Sequence, residues 1–440
     1  MEQKPFQKTG TEFLLDKKRA ILGDDPGLGK SNQLILAAQG RTLIVCPAML
    51  QKVWIDEIEK WRPNLDAQIV TYSSLCKRAP DSRGRMTKVT SMPRDDLNRS
   101  WDTILADEAH YLKTRDTKWT RALRRLSEKC DRIYLATGTP VPNWAHEIYM
   151  LLLLTHPGDS RFTNYRRWLL QWFDTWNPPW GGMKIQGLKK RYTWEQFALG
   201  NDLHECFLRR TREEAMPDLP ALTEQTLEVD MTPAQKKFYR DLKRNYIAFT
   251  ETGQQVSAWS DGGLHTKLAQ ASTGPEVLDP AAPIGGKLKA LGQLFEDRGH
   301  IPLVVFTSFR ETARQVAKVG HDVGRRCGVV HGGLGLADRN QTIEMFKTGQ
   351  YDTLVGTLGT ISEGLTLTEA DTCIFVERSW RPSNNEQAMR RLHRIGQTRP
   401  VTVIHLVTRD SIDERMLAVL DKKDDQAVKM LSAAEFARLL

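Results

Sequence analysis

Short apolar runs, partly β-branched, recur along the chain and alternate with stretches whose apolar residues fall at helical spacing; the whole alternation occurs twice. In the first half the runs are Ala20-Ile21-Leu22, Thr42 to Cys46, Thr103 to Ala106 and Arg132 to Ala136. In the second half they are Leu303 to Phe306, Gly328 to Val330, Thr353 to Gly356, Thr372 to Val376 and Thr402 to Leu406. A continuous apolar run closed by a polar turn suits a strand covered on both faces, because alternate side chains then all meet a helix layer. The pattern predicts an α/β chain with two lobes built on parallel sheets.

The lobes are expected at residues 1–157 and 285–440, with a mostly helical insertion and linker over 158–284. That middle stretch carries Trp168, Trp172, Trp176 and Trp180 at a spacing of four, read as the core face of a helix that Pro178-Pro179 stops. Stacking platforms for bases are the other reading of those rings. Gly253 to Gly263 and Gly274 to Gly286 are rich in small residues and Pro, and predict exposed loops or hinges.

Composition then narrows the class. With 440 residues, 40% hydrophobic and 27% charged, the chain is long enough for several cores and is not a disordered polymer. The longest apolar run, Ile148 to Leu154, is far short of the ~20 residues a membrane helix needs, and the start carries no secretory apolar segment. An intracellular protein without a membrane partner is expected. Lys and Arg number 63 against 54 Asp and Glu, a net charge of +9, which makes a polyanion a reasonable partner. Six scattered cysteines without a C-x-x-C pair predict neither zinc nor disulfides.

Candidate chemistry begins at Gly23-Asp24-Asp25-Pro26-Gly27-Leu28-Gly29-Lys30-Ser31, between a predicted strand and a predicted helix. Glycines let backbone N–H groups close around a phosphate, the helix N-terminus favours negative charge, Lys30 reaches the outer phosphates, and Ser31 offers a hydroxyl to Mg²⁺. Asp24 stands where the strict phosphate-loop pattern has Gly. Asp107-Glu108-Ala109-His110 follows the run ending at Ala106. Alone it could be a solvated turn; after a phosphate loop, Asp107 reads as the carboxylate for Mg²⁺ and Glu108 as the group that orients or deprotonates water. Asn385 to Ile395 predicts a helix on which Gln387, Arg391 and Arg394 share one face, cations suited to stabilising transferred phosphate charge. Arg115 to Arg132 is read as a helix lying on the first sheet with a charged outer face.

In their order these motifs resemble superfamily 2 helicases, specifically the Swi/Snf-like DNA translocases. Pro5-Phe6-Gln7 resembles the adenine-sensing element, and Asp24 to Ser31 is similar to that family's D-E-M-G-L-G-K-T, which also starts with Asp. Leu43 to Pro47 with Trp54, Glu57 and Trp61 resembles motif Ia, Asp107 to His110 the DEAH box, and Thr137-Gly138-Thr139-Pro140 motif III. Leu208-Arg209-Arg210-Thr211-Arg212 and Leu219-Pro220 resemble elements of the same branch. In the second half, Val304 to Phe309 resembles motif IV, His331-Gly332-Gly333 with Asp338-Arg339 the block after it, and Gln387 to Gln397 motif VI. Thr360 to Leu367, with Glu377, Trp380 and Pro382, is most similar to the annealing-helicase subgroup.

The resemblance implies two tandem RecA-like lobes and a DNA-stimulated hydrolysis of ATP to ADP and phosphate that remodels or rewinds duplex or branched DNA. It implies ATP held by Gln7, Asp25, Gly27, Leu28, Gly29, Lys30 and Ser31, and Mg²⁺ near Ser31 and Asp107. It makes Arg391 and Arg394 arginine fingers beside Gln387, and Pro47, His110, Thr137, Thr139, Ser308, Gly332 and Thr360 coupling or DNA-contact positions. A compact member of this kind is expected in the cytoplasm of a prokaryote or from a phage. The alternatives are a strand-separating DNA or RNA helicase, which motif III argues against in its RNA form, and an ATP-gated clamp without turnover, which Glu108 argues against. No N-K-x-D base-reading motif of a GTPase is present.

Overall fold

Both apolar series fold into parallel sheets. The computed structural model describes the chain apart from residues 1, 81–85, 87, 142–143, 178–181, 362–365, 395 and 440, and apart from the side chains of 88, 261, 422, 424–428 and 432–439. It divides into two compact units, Met1–Pro217 with Lys423–Leu440, and Asp218–Lys422. The division thus falls inside the 158–284 stretch.

In the first unit six parallel strands lie in the order Phe207–Leu208, Arg19–Leu22, Cys130–Ala136, Trp101–Asp107, Thr42–Cys46 and Ala67–Thr71. Their alternation feeds two cores. Ile21, Leu43, Val45, Ile104, Ala106, Ile133 and Leu135 pack on one face. Ala20, Leu22, Ile44, Cys46, Leu105, Tyr134 and Ala136 pack on the other. This is why the runs show no polar side: period two divides them between two buried faces. The helix Lys118–Ser127 buries Ala122, Leu123 and Leu126 and exposes Arg121 and Arg124, as its pattern predicts.

The second unit repeats the scheme in the order Leu222–Val229, Val401–Thr408, Thr372–Phe375, Leu303–Thr307, Thr353–Thr357 and Cys327–Val330, again all parallel. Val304, Phe306, Leu354, Cys373 and Phe375 face one core. Leu303, Val305, Val355, Ile374 and Val376 face the other.

Three expectations need correction. Trp168 and Trp172 are core residues of the first unit, but their helix, Tyr165–Trp172, ends before the prolines because Phe173–Trp176 pairs antiparallel with Lys184–Leu188. Trp176 is exposed, and Pro178, Pro179 and Trp180 lie outside the described residues. The 253–263 stretch holds the strand Gln255–Ser257 and the start of the helix Asp261–Thr273. Much of 274–286 is buried, because Glu276 Oε1 accepts from Gly285 N at 3.0 Å and Gln235 Oε1 from Gly286 N at 2.9 Å, satisfying its backbone internally. No helix among the described residues is long and apolar enough to cross a membrane. All six cysteines are buried and free.

Candidate active site

The phosphate loop links the strand Arg19–Leu22 to the helix Lys30–Ala37. Gly27 and Gly29 take φ of +90° and +74°, the left-handed region, and a Cβ at Gly29 would come within 2.5 Å of Gln7 Nε2. Gln7 is fixed from both ends: its Oε1 accepts from Lys4 N at 2.9 Å and its Nε2 donates to Leu28 O at 3.1 Å. The helix carrying Pro5-Phe6-Gln7 is thereby tied to the loop. Lys30 Nζ curls back to donate to Asp24 O at 2.7 Å and Asp25 O at 3.2 Å.

What holds the loop is the Leu208 to Arg212 segment, whose role sequence reading did not assign. Asp24 is fully buried and accepts from Arg210 Nε at 3.0 Å, Arg210 Nη2 at 2.5 Å and Gln33 Nε2 at 3.2 Å. Arg210 also donates to Phe6 O and lies over the Phe6 ring, 5.4 Å from its centroid. Arg209 Nη2 pairs with Asp25 Oδ1 at 3.3 Å, Arg212 N donates to Asp25 Oδ2 at 3.3 Å, and the buried Arg212 side chain donates to Pro26 O. Each loop carboxylate has its own arginine, so Asp24 replaces a glycine for a structural reason. The available signal was the density of arginine directly after an apolar pair.

At the next strand end but one, Asp107 Oδ2 accepts from Trp54 Nε1 at 2.9 Å, Asp107 Oδ1 from Glu108 N at 2.9 Å, and Asp107 O from the Tyr72 hydroxyl at 2.7 Å. Burial, together with the Glu108 charge, pushes Asp107 up to about 6, while Trp54 and Lys30 pull the other way. Glu108 follows in a left-handed conformation, φ +48°, unusual for a residue with a Cβ and found where a site fixes it. Glu108 Oε2 lies 3.2 Å from His110 Nδ1. The same nitrogen is 3.1 Å from Thr137 Oγ1 and 3.4 Å from Thr139 Oγ1, which joins the acidic turn to the Thr-Gly-Thr turn. Pro47 ends the Thr42–Cys46 strand and accepts from Leu50 N at 3.0 Å. Burial pushes the neighbouring Cys46 thiol up to about 12, so it is inert as a nucleophile.

These residues fit a hard divalent cation. Asp107, Glu108 and the half-buried Ser31 hydroxyl on the first helical turn are oxygen donors of the kind such a cation takes, and extra positive charge would relieve the raised Asp107.

In the second unit the helix expected over 385–395 is Pro382–Met389. Gln387 is buried on it, but Arg391 and Arg394 follow in a turn, so the shared helical face does not exist. The turn is fixed by tertiary bonds: Leu367 N donates to Arg391 O at 2.9 Å, and Gln397 Nε2 to Ala370 O at 2.9 Å. Arg394 Nη1 donates to Thr366 Oγ1 at 3.0 Å, and both arginines are half-buried. Ile395 and residues 362–365 lie outside the described residues.

Ser308, Gly332 and Thr360 all follow carboxyl ends of parallel strands. Ser308 N donates to Glu377 Oε2 at 2.8 Å, and Thr360 Oγ1 is 3.0 Å from Thr357 Oγ1. A Cβ on Gly332 would sit 3.7 Å from Thr360 Oγ1, which places these two loops side by side. Burial and the charges of Arg310, Arg314 and Arg339 hold the adjacent His331 below its ordinary value, so this rim is strongly basic.

Residues 6–272 match the family described as the SNF2-related domain, and residues 286–396 the helicase conserved C-terminal domain. The DNA annealing helicase and endonuclease ZRANB3 of Mus musculus is 26% identical over 446 residues, covering 95% of this chain and 40% of that protein. The chromodomain-helicase-DNA-binding protein 1-like of Danio rerio is 27% identical over 458 residues, covering 93% and 42%. This chain therefore spans about two fifths of the length of these curated relatives. Among solved structures, the Sulfolobus solfataricus SWI2/SNF2 ATPase core in complex with dsDNA is similar at 22% identity and a TM-score of 0.43, covering 100% of this chain and 95% of that one.

Proposed function

This chain belongs to the SNF2-related domain family, and from that premise we propose that it is a DNA-stimulated ATP hydrolase whose turnover drives movement along duplex or branched DNA, remodelling or rewinding it. The observation that carries the reading is the acidic turn: a buried Asp107 beside Glu108, in one charge field with Lys30 and joined through His110 to Thr137.

Backbone N–H groups around Gly27, Leu28 and Gly29 close on the phosphates, and Lys30 exchanges its two loop carbonyls for phosphate oxygens. Gln7 and Asp25 keep the base and phosphate ends of the loop in register. Ser31 and Asp107 would hold Mg²⁺, which when bound neutralises phosphate charge. Glu108 orients the attacking water and takes its proton. Arg391 and Arg394, positioned by the turn after the Gln387 helix, supply positive charge to the transferred phosphate. The acidic turn is coupled to the polynucleotide through His110, Thr137 and Thr139. Pro47, Ser308, Gly332 and Thr360 lie at strand ends suited to phosphate contact without base reading. The name of the mouse relative, a DNA annealing helicase, supports rewinding. The setting is intracellular, where ATP is available.

The test is ATP turnover with duplex DNA together with displacement of a third strand from a DNA triplex. Glu108→Gln is expected to lower kcat at least about 100-fold while ATP still binds. Turnover in Glu108→Gln equal to the unaltered chain overturns the assignment of the base. Fork unwinding without triplex displacement would favour a strand-separating helicase, and binding without turnover the clamp.

A further inference from the structure

The second unit carries a surface that the motor reading does not use. The helix Pro233–Asn245 buries Phe238, Tyr239 and Leu242 in a small core shared with Ala248 and Val256 of the hairpin Ile247–Phe249 and Gln255–Ser257. Strand alternation then turns Ile247 and Phe249 outward, where they are 42% and 62% exposed. The ladder runs on by one bond, Ala258 N to Tyr246 O at 2.8 Å, and the next residue, Trp259, is 94% exposed. A ring that buries about 150–250 Å² when covered is held out in water here, at the base of a hairpin that exposes a second ring, Phe249, near its turn.

The helix that leads into this hairpin is basic on its outer side. It carries five cations against one carboxylate, Asp241. Lys237, Arg240 and Arg244 stand at i, i+3 and i+7, opposite the Phe238, Tyr239 and Leu242 side, and all are exposed. Arg240 reaches Asp241 only at 3.9 Å. Helix and hairpin both bury their inner faces in this core, so the cationic stripe and the exposed rings face solvent on successive elements linked through Asn245 and Tyr246.

Cations at helical spacing match a phosphodiester backbone, and exposed rings match bases, but bases offer their faces only where they are not stacked in a duplex. We propose that the outer faces of the helix Pro233–Asn245 and the following hairpin bind single-stranded nucleic acid, Phe249 and Trp259 stacking on unpaired bases and Lys237, Arg240 and Arg244 contacting the backbone. Resting on the motor reading, this makes the preferred substrate a duplex with a single-stranded arm.

The full chain is tested by fluorescence anisotropy with dT20, a blunt 20-base-pair duplex, and the same duplex with a dT20 arm. F249A/W259A is expected to weaken dT20 at least about tenfold and to erase the advantage of the armed over the blunt duplex, leaving blunt-duplex affinity and duplex-stimulated turnover unchanged. K237A/R240A/R244A is expected to lower the slope of log affinity against log salt for dT20 by about 2. Unchanged dT20 affinity in F249A/W259A overturns the proposal and points to a protein partner for the hairpin. Equal losses on dT20 and blunt duplex overturn it as well. Absence of DNA-stimulated turnover in the unaltered chain would instead overturn the motor reading, and dT20 binding is read independently of it.

Discussion

Arg210 does more for the phosphate loop than the glycines that announce it. It gives the buried Asp24 two hydrogen bonds, meets Gln33 Oε1 at 2.8 Å, and donates to Phe6 O on the helix of Gln7. Removing it leaves a buried carboxylate with a single neutral donor, Gln33. Arg210→Ala is expected to cost about 3–5 kcal/mol in urea unfolding and to raise KM for ATP. Arg210→Lys is not expected to rescue either, because an ammonium cannot serve Asp24, Gln33 and Phe6 in the geometry of the planar fork. Full stability in Arg210→Ala would show that the clamp is not what holds the loop. The placement of the phosphate loop and the acidic turn was legible in sequence because Lys30, Asp107 and Glu108 sit at strand and helix ends that the apolar runs mark. The clamp was not, because its partners are 186 residues apart along the chain and nothing local fixes which carboxylate each arginine meets.

Among the elements, the inner strands were readable for the same reason that they are stable: both faces are covered, so the whole run is apolar. Edges escaped. Leu222–Val229 is mostly exposed and polar, and Phe207–Leu208 is two residues long, yet each completes a sheet. The helix ending at Met389 escaped too, since the bonds that stop it come from Leu367 and Gln397 and not from a local breaker. The buried turn Pro275–Val277 gives an element-scale prediction. Burial pushes Glu276 from the ordinary glutamate value near 4.5 up to about 7, opposed by its hydrogen bond from Gly285 N. Between those values the folded state holds a proton that the unfolded chain has released, so stability falls as pH rises from about 4.5 to about 7. The loss amounts to at most about 3 kcal/mol. Glu276→Gln is expected to remove this component, making the variant the more stable protein at pH 8 but not at pH 4. Parallel stability curves for the two proteins across that range would contradict the assignment.

For the molecule as a whole, ATP hydrolysis is expected to need Arg391 and Arg394 as well as the phosphate loop. Arg391→Ala or Arg394→Ala is expected to lower kcat about 1,000-fold with ATP binding retained, because each supplies charge in the transition state and not in the ground state. A rise in KM with kcat unchanged would mean that the turn after the Gln387 helix only helps to bind ATP. The basic rim around Gly332 and Thr360, with Arg310, Arg314 and Arg339 close to His331, is the part of the second unit proposed to meet the polynucleotide. The most direct test is the steady-state rate of ATP hydrolysis by the full chain alone and with saturating duplex DNA, single-stranded DNA or RNA. At least about tenfold stimulation by DNA is expected, with duplex or armed duplex strongest; stimulation by RNA alone, or by none of the three, would contradict a DNA-driven motor.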